Sequence, residues 1–222
     1  MEYETVLKTC ALFRDFSDEE LSAAEKFFDA RIKTYEKGEI LQLAGSEMTR
    51  FGLLLDGTVQ VYMDDINGNR MIMANVRPGV TFGEALCWLR VPEIPVCITA
   101  AADSTVMWLS AENLRFSQNG SLEQELRSRF ISILARRTLS MNDRIQILSK
   151  SSIRAKLFTF FSQCHSENGD ITFYVNLDRQ DMAAYLGTDR SALSRELSRM
   201  KSEGLIDYRK NRFTILKPME EE

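Results

Sequence analysis

Two arginines and two serines near the carboxyl end of the chain have the types and spacing needed to read DNA bases. These residues are Arg190, Ser191, Ser194 and Arg195. Positions i, i+1, i+4 and i+5 lie on one face of an α-helix, and the apolar residues Leu193, Leu197 and Met200 take the opposite face. A guanidinium can donate two hydrogen bonds to the O6 and N7 atoms of guanine, and a hydroxyl can donate or accept. The pattern predicts a helix that presents its polar face to the major groove.

A second group of basic residues is better suited to phosphate than to bases. Arg199 and Lys201 lie further along the same predicted helix, where contact with the DNA backbone is expected. Residues 204–216 then predict a hairpin with a basic turn, which we interpret as a wing beside the helix. The basic residues of this turn are Arg209, Lys210 and Arg212.

The local signals around the polar face predict a helix-turn-helix. Asp178, with Asp181 three residues later, resembles a capping pair that opens a first helix. Gly187 supplies the left-handed residue that a tight turn between helices needs, and Thr188 or Asp189 can cap the second helix. A helix, a glycine turn and a second helix in this order are typical of DNA-binding domains.

The net charge of −4 conceals an uneven distribution along the chain. Residues 1–118 hold 11 Lys and Arg against 18 Asp and Glu, whereas residues 150–217 hold 12 against 8. Within residues 188–212, where the polar face lies, the counts are 7 against 4. The opposite signs indicate two functions in one chain, and the basic part favours nucleic acid as a partner.

The first half of the chain predicts an all-β sandwich or barrel. Seven of the 11 glycines lie between residues 38 and 83, where they separate short apolar or alternating segments. Asp56-Gly57 and Asn67-Gly68 accept positive φ, so each is expected to close a hairpin. A further strand pair is expected at residues 96–101 and 105–110. Upstream of these strands, Ser17 and Glu20 have the spacing of a capping box that opens a short helix.

A long helix is expected to connect the two parts. No proline or glycine interrupts residues 121–149, and apolar residues recur there mostly at steps of three and four. They are Leu122, Leu126, Phe130, Ile133, Leu134, Met141, Ile145 and Leu148. This stripe could lie on the sheet, or it could pair with its copy in a second subunit as a two-stranded coiled coil. We favour pairing, because a helix that extends beyond a β domain would otherwise leave apolar side chains in water.

The composition excludes several other classes of protein. At 222 residues, 44% hydrophobic and 27% charged, the chain is long enough for two domains with sizeable cores. No apolar run approaches the roughly 18 residues of a membrane span, and the first ten residues lack a signal-peptide pattern. We therefore expect a cytoplasmic protein with no membrane partner. One histidine cannot build a multi-histidine zinc site, and the four scattered cysteines form no CxxC pair.

A sheet, a long helix and a winged helix-turn-helix in that order resemble the CRP/FNR family of bacterial transcription regulators over nearly the whole chain. The specific stretches are YEKGEIL (35–41), LLDGTVQV (54–61), PGVTFGE (78–84) and the helix-turn-helix. The resemblance implies an α+β chain in three parts. These are a β jelly-roll sensor domain of the cyclic-nucleotide-binding kind (1–118), a long dimerisation helix (119–149) and a winged helix-turn-helix DNA-binding domain (150–222).

The same resemblance implies the partners. A homodimer joined along the 119–149 helix would bind a palindromic site in double-stranded DNA under the control of an effector, with RNA polymerase as a further partner. The two-fold symmetry of such a dimer would match half-sites one helical turn apart.

The resemblance also assigns roles within the helix-turn-helix. The family's base-reading positions are occupied here by Arg190, Ser191, Ser194 and Arg195, and its phosphate-contacting positions on the first helix by Arg179 and Gln180. Ser191 departs from the glutamate that many members use to accept a hydrogen bond from cytosine, so the usual half-site cannot be assumed. The pair Ser194-Arg195 agrees with the iron–sulfur-like subgroup.

Three effectors known in the family fit this sequence poorly. Members that bind cyclic AMP hold the ribose with a Gly-Glu pair, matched by Gly83-Glu84, and neutralise the phosphate with an arginine whose place is taken here by Ile94-Pro95. Arg90 lies four residues too early, and a buried phosphate without a cation is costly. An iron–sulfur cluster would need four suitably spaced cysteines, and a haem sensor would need a histidine in the first part of the chain.

We expect no cofactor, and a small organic molecule of unknown identity as the effector, held in an apolar pocket between the sheet and the long helix. The candidate lining residues are Phe82, Gly83, Glu84, Trp88, Val96, Phe130, Leu134 and Arg137. A regulator without a ligand remains open, and so does a thiol switch through Cys10 or another sensor cysteine.

Two functions of other classes are weaker alternatives. A cupin-like enzyme could use Glu84 as a general base, but cupin chemistry usually wants a His/Glu metal site and the first part of the chain has no histidine. A cyclic-nucleotide-binding module of a kinase or channel would be attached to a catalytic domain or a membrane span, and the sequence predicts neither.

Overall fold

The structure, a computed structural model, describes residues 3–64, 70–116, 120–175 and 177–217. The chain forms two compact units, Met1–Ala135 and Arg136–Glu222, and the boundary between them falls inside the long helix. The sequence predicts a different division, into residues 1–118, 119–149 and 150–222, in which the long helix is a part of its own.

The first unit contains two four-stranded antiparallel sheets together with short helices. Its helices are α1 (Glu4–Thr9), α2 (Asp18–Phe27), α3 (Glu84–Leu89) and α4 (Glu112–Phe116). Its strands are β1 (Arg31–Tyr35), β2 (Ile40–Gln42), β3 (Arg50–Asp56), β4 (Val59–Asp64), β5 (Arg70–Val76), β6 (Thr81–Phe82), β7 (Cys97–Ala100) and β8 (Ser104–Ser110). One sheet has the order β1-β8-β3-β6 and the other the order β2-β7-β4-β5. This is the sandwich that the glycine-separated segments predict.

Strand β3 is apolar on both faces because its sheet is covered on both sides. Phe51 and Leu53 pack into a core cluster shared with residues of α1, α2 and the long helix. Leu54, which points to the opposite face, packs between the two sheets with Tyr35 and Val106. Successive side chains of a strand point to opposite faces, so a strand buried on both faces is a continuous apolar run.

Two expectations about strand pairing, one hairpin and one strand pair, need correction. Asp56-Gly57 does form a sharp turn, with Gly57 at φ +88°, but β3 and β4 belong to different sheets, so the turn carries the chain from one sheet to the other. The expected pair at 96–101 and 105–110 forms β7 and β8, which also lie in different sheets. Positive φ indicates where a turn is, but it does not say which strands pair. Asn67-Gly68 lies outside the described residues, and the strands on either side of it, β4 and β5, pair antiparallel.

The predicted capping box at the start of α2 is confirmed. The Glu20 N–H donates to the Ser17 hydroxyl at 3.2 Å, and the Ser17 N–H donates to the Glu20 carboxylate at 2.8 Å. Leu21 and Ala24 on the inner face of the helix are buried. The cap fixes where the helix begins, and therefore which of its residues face the core.

The long helix α5 spans Ser121–Leu148, close to the predicted 121–149. Its apolar residues do not form one stripe. Leu126, Phe130 and Ile133 are buried in the core of the first unit, as expected if the helix lies on the sheet. A second set remains exposed: Ile131, Leu139, Met141, Ile145 and Leu148. The helix therefore has one set of apolar residues that packs within the chain and another set that the chain leaves exposed.

The second unit is a winged helix. After the end of α5 come α6 (Ile153–Asn168), β9 (Thr172–Tyr174), α7 (Arg179–Tyr185), α8 (Arg190–Ser202), β10 (Ile206–Arg209) and β11 (Arg212–Ile215). The strands form an antiparallel sheet of order β10-β11-β9. Phe161 of α6 contacts Phe173 and Phe213 of this sheet, with ring centroids 5.9 and 5.0 Å apart, so one aromatic core joins helices and wing. Among the described residues, no helix has the length and apolarity needed to cross a bilayer.

Candidate nucleic-acid interface

Helix α7 begins where the sequence predicts. Asp178 is its N-cap, and the Asp178 carboxylate accepts hydrogen bonds from the N–H groups of Gln180 and Asp181 at 2.7 and 2.8 Å. Ala183 and Leu186 are buried in the core of the second unit. The cap and the buried face together fix the direction in which α7 approaches α8.

The turn between α7 and α8 depends on Gly187 and on a lysine that sequence reasoning missed. Gly187 has φ +58°, and an added Cβ would lie 2.9 Å from Leu148 Cδ2, so any side chain there would be strained and crowded. The Lys156 ammonium donates to the carbonyl oxygens of Leu186 and Gly187 at 3.0 and 3.3 Å. A cation at the end of a helix satisfies carbonyls that have no partner within the helix. Its role depends on the tertiary fold, so the sequence alone gave no signal for it.

Helix α8 places the four predicted base-reading residues on its outer side. Leu193, Leu197 and Met200 are fully buried, while Arg190, Ser191 and Arg195 are exposed and Ser194 is partly so. The Ser194 hydroxyl donates to the Arg190 carbonyl oxygen at 2.9 Å. Asp189 occupies the N-cap position, but its side chain makes no cap hydrogen bond, which corrects the predicted role of that residue. The polar face itself agrees with the periodicity.

The wing and the start of α8 enclose an open cleft of about 880 Å³. Its lining residues are Tyr174, Asp178, Arg179, Gln180, Arg190, Arg209, Lys210, Asn211 and Arg212. Five of these are cationic and one is acidic, so the cleft attracts anions. Arg190, the first residue of α8, therefore lies beside the predicted wing residues, and the structure brings base-reading and phosphate-contacting candidates into one surface.

Tyr174 in this cleft was not predicted. It is the last residue of β9, it pairs with Arg212 of β11, and its side chain is 73% exposed. A phenol can donate a hydrogen bond to a phosphate oxygen. The sequence predicted neither strand β9 nor its pairing with β11, and the position of Tyr174 in the cleft depends on both.

Arg199 and Lys201 lie outside the cleft, towards the end of α8. The Arg199 guanidinium pairs with the Glu203 carboxylate at 3.0 Å, and the Lys201 ammonium pairs with Asp207 at 2.6 Å. The hydrogen bond from Lys201 holds the pKa of Asp207 below its usual value. Both pairs are exposed to solvent, where such contacts are weak and exchange readily.

An ion cluster that sequence reasoning missed holds α8 against α6. The Arg154 guanidinium donates to Glu196 at 2.5 Å and to both oxygens of Glu203 at 2.8 and 2.9 Å. These carboxylates raise the pKa of Arg154, and the same hydrogen bonds lower the pKa of Glu203. A guanidinium that binds two carboxylates on one helix limits the rotation of that helix about its axis. The direction of the exposed face that carries Arg190 and Arg195 follows from this restraint.

The candidate effector residues fall into separate parts of the structure. Phe82 and Val96 belong to the core between the two sheets, whereas Phe130 belongs to the core beneath the helices, with Trp88 and Leu134 packed against it. The ring centroids of Trp88 and Phe130 are 5.4 Å apart. Within the first unit, these side chains pack into the two cores described above. Arg137 belongs to the second unit.

The position that would bind a cyclic phosphate is apolar. Ile94 is buried between the sheets, and its N–H donates to the Ser46 carbonyl oxygen at 3.0 Å. Arg90 pairs with Glu112 at 2.5 Å. Gly83 precedes α3 at φ +77°, and the buried carboxylate of Glu84 accepts a hydrogen bond from the Thr81 hydroxyl. The Gly-Glu pair is therefore present, but a buried aliphatic side chain stands where the arginine is expected.

Burial suppresses the reactivity of three of the cysteines. It raises the pKa of Cys10 to about 11 and that of Cys164 to about 12, and it also raises the pKa of Cys87. The thiolate is the nucleophilic form of cysteine, so the raised pKa values lower the reactive fraction of these three thiols near pH 7. In the parts of the chain that are described, no group of three or more His, Cys, Asp or Glu residues could hold a metal ion.

Comparison with known families identifies both units. The family model described as the Crp-like helix-turn-helix domain matches residues 155–220, and the model of the cyclic nucleotide-binding domain matches residues 32–116. The Anaerobic regulatory protein of Aggregatibacter actinomycetemcomitans is 25% identical over 191 residues, which cover 83% of this chain and 72% of that protein. The Cyclic AMP receptor protein of Thermus thermophilus is 23% identical over 201 residues, which cover 90% and 89%.

Solved structures show the same fold. The catabolite activator protein of Thermus thermophilus is 21% identical with a TM-score of 0.52, and the match covers 92% of this chain and 93% of that one. A CooA mutant from Carboxydothermus hydrogenoformans is 20% identical with a TM-score of 0.61, covering 91% and 88%.

A winged helix-turn-helix preceded by a sandwich of the cyclic-nucleotide-binding kind defines a DNA-binding regulator with a sensor domain. This chain belongs to the CRP/FNR family of transcription regulators. The relatives it matches are regulators rather than enzymes, so the cupin-like alternative is set aside.

Proposed function

We propose that two copies of this chain join along helix α5 and place their two α8 helices in successive major grooves of a palindromic DNA site. Family membership supports DNA binding through the helix-turn-helix and action as a dimer. The roles of particular residues, the dimer seam and the effector are the finer parts of the proposal.

The exposed face of α5 supports the seam. Ile131, Thr138 and Ile145 recur every seven residues, which is the period of position a in a coiled coil. Residues three positions later also recur every seven, and all are apolar: Leu134, Met141 and Leu148. Ile131, Met141 and Ile145 are 56%, 65% and 60% exposed in the single chain. β-Branched residues at a with leucine at d favour two parallel strands, so a second copy is the occupant that fits this stripe.

Base reading is assigned to the outer face of α8. Arg190 and Arg195 supply forked donors suited to guanine, and Ser191 lies between them on the same face. Since the Ser194 hydroxyl donates to the Arg190 carbonyl, its lone pairs remain suited to accept from an amino group of cytosine or adenine. The face joins two donors of fixed shape to an acceptor, which is a surface able to discriminate bases.

Phosphate contact is assigned to the cleft beside α8. Gln180, Arg209, Lys210 and Arg212 line it, and Tyr174 adds a phenolic donor. Arg199 and Lys201 would contact phosphate further along the groove. Their exposed ion pairs with Glu203 and Asp207 would break first and be replaced by the phosphate. Contacts of this kind fix the register of a protein on DNA without reading sequence.

The sensor unit is proposed to respond to a small organic molecule other than cyclic AMP, without a bound cofactor. The buried Ile94 in place of a phosphate-binding arginine supports the exclusion of the cyclic nucleotide. The candidate contacts remain the eight residues predicted from the sequence. They are Phe82, Gly83, Glu84, Trp88, Val96, Phe130, Leu134 and Arg137. RNA polymerase, as the resemblance implies, is the further partner of the DNA-bound dimer, which would act in the bacterial cytoplasm.

One observation carries the proposal: the polar face of α8 begins inside a cationic cleft. Selection of bound duplexes from a random library tests it directly. We expect enrichment of an inverted repeat whose half-sites are centred about 34–36 Å apart along the DNA axis. Enrichment of no sequence, or of single half-sites without symmetry, would contradict the proposal.

A further inference from the structure

Arg179 is the first residue of α7, but its guanidinium lies against the wing. Nη2 donates to the Lys210 carbonyl oxygen at 3.0 Å. The guanidinium carbon lies 5.2 Å from the ring centroid of Tyr208 and 5.1 Å from that of Phe213. Burial lowers the pKa of Arg179, as expected for a cation enclosed by two aromatic rings and a peptide. The side chain therefore ties the first helix of the helix-turn-helix to the tip of the wing.

Lys210, whose carbonyl oxygen Arg179 binds, has an unusual backbone conformation. Lys210 has φ +55°, in the left-handed region that residues other than glycine adopt at a cost. Such a conformation persists when its surroundings fix it. Two contacts do so here, because the Arg179 guanidinium binds the Lys210 carbonyl and the Val175 N–H donates to the Asn211 carbonyl at 2.9 Å. The wing tip is thus held from α7 on one side and from the segment after β9 on the other.

We propose that Arg179 is a positioning residue that sets the conformation of the wing, so that the Lys210 ammonium meets DNA phosphate. The inference rests on the proposed function, since it requires the wing to contact DNA. It assigns Arg179 a different role from the direct phosphate contact that the family resemblance implies. Its effect on DNA binding passes through Lys210. The planar guanidinium is needed because it must donate to the Lys210 carbonyl while lying against the rings of Tyr208 and Phe213.

A double-mutant cycle separates positioning from direct contact. The variants are Arg179→Met, Lys210→Ala and their combination, and the probe is a mixed-sequence DNA duplex titrated at several NaCl concentrations by fluorescence anisotropy. Lys210→Ala should weaken binding by roughly three- to tenfold in the wild-type background and lower the salt slope by about one unit. In the Arg179→Met background, the same Lys210 substitution should change affinity by less than about twofold, because the wing is already displaced.

Arg179→Lys supplies a conservative control that is expected to fold. A phosphate contact tolerates this substitution, since lysine keeps the charge, whereas a positioning role does not. We expect Arg179→Lys to behave like Arg179→Met, and trypsin to cleave after Lys210 faster in both variants than in the wild type. Additive effects of the Met and Ala substitutions, or wild-type binding by Arg179→Lys, would overturn the inference. A wild-type protein that failed to bind the duplex at all would instead refute the proposed function.

Discussion

At the scale of single residues, the proposed function gives Arg195 the largest part in sequence recognition. It is exposed on α8, one helical turn and a residue after Arg190, on the face opposite the buried Leu193 and Leu197. A bidentate arginine–guanine contact contributes about 1–3 kcal/mol of discrimination. The proposed base contact therefore falls on an exposed position that contributes nothing to the core.

Arg195→Ala should abolish selective binding while leaving the dimer intact. We expect the affinity for a selected inverted repeat to fall roughly 10- to 100-fold, to nearly the affinity for a mixed-sequence duplex. Competition titrations at fixed salt measure the ratio. An unchanged ratio would show that Arg195 does not read bases.

Tyr174→Phe tests a contact that the sequence did not reveal. Removing the phenolic hydroxyl keeps the ring and the β9–β11 pairing, so the melting temperature should not change. Binding to every duplex should weaken by about threefold, since one hydrogen bond to a charged acceptor is lost. A loss confined to selected sequences would mean that Tyr174 contacts a base instead of the backbone.

Residues on a periodic face were predictable, and residues whose partners are distant in sequence were not. The spacing of Arg190, Ser191 and Arg195 relative to Leu193 determines which side of a helix they occupy. Lys156 and Arg154 gave no comparable signal, because their partners lie at least 30 residues away and meet them only in the folded chain.

At the scale of elements, helix α5 carries apolar residues that the chain buries and others that it leaves exposed. Leu126, Phe130 and Ile133 pack inside the first unit, whereas Ile131, Met141, Ile145 and Leu148 are exposed. The apolar spacing predicted both possibilities, lying on the sheet and pairing with a copy, as alternatives. The structure shows packing within the chain and leaves the exposed residues for the proposed pairing with a copy.

Ile145→Asp should separate the dimer, because it places a carboxylate at position a of the seam, where desolvation without a partner is costly. Leu139→Asp is the matched control: Leu139 is 63% exposed on the same helix but lies outside the a and d positions. Sedimentation velocity should show a monomer for Ile145→Asp and a dimer for Leu139→Asp. Two dimeric variants, or two monomeric ones, would contradict the assigned register.

The Arg154 cluster predicts an acid-dependent loss of stability. Because the folded chain holds the pKa of Glu203 below 4.5, the unfolded chain binds more protons, and the stabilisation present above about pH 4.5 is lost as the pH falls through the depressed folded pKa. Arg154→Met removes the largest cause of the lowered Glu203 pKa and leaves the weaker one, the pair with Arg199. We expect its unfolding midpoint to lie below that of the wild type at pH 7, with the difference shrinking at pH 3.5. A constant difference across this range would argue against the ion cluster.

The turn at Gly57 shows that local sequence can predict a turn without predicting which strands pair on either side of it. Gly57 adopts the positive φ that the Asp-Gly dipeptide predicts, but the turn crosses between sheets instead of closing a hairpin. An added Cβ at Gly57 would lie 2.2 Å from the Asp103 carbonyl oxygen, a contact set by residues 46 positions away. The turn is encoded locally, and the strand pairing is encoded by burial on both faces of β3.

At the scale of the whole molecule, the acidic and basic segments of the chain coincide with its two domains. Residues 1–118 are acidic and residues 150–217 are basic, and the matches to the sensor and DNA-binding models fall on the corresponding segments. An acidic segment repels the phosphates of DNA and a basic segment attracts them, so this charge distribution favours the proposed approach of DNA to the second unit. The order of the domains was predictable from the sequence because each has its own periodicity.

Hydroxyl-radical footprinting of the dimer on a selected duplex is the most direct test of the account. Two copies of α8 joined through α5 should protect two symmetric backbone regions whose centres are about 10–10.5 base pairs apart. The Arg195→Ala dimer should lose both protected regions together. A single protected region, or two regions without symmetry, would contradict the claim that a two-fold dimer delivers these arginine and serine faces to DNA.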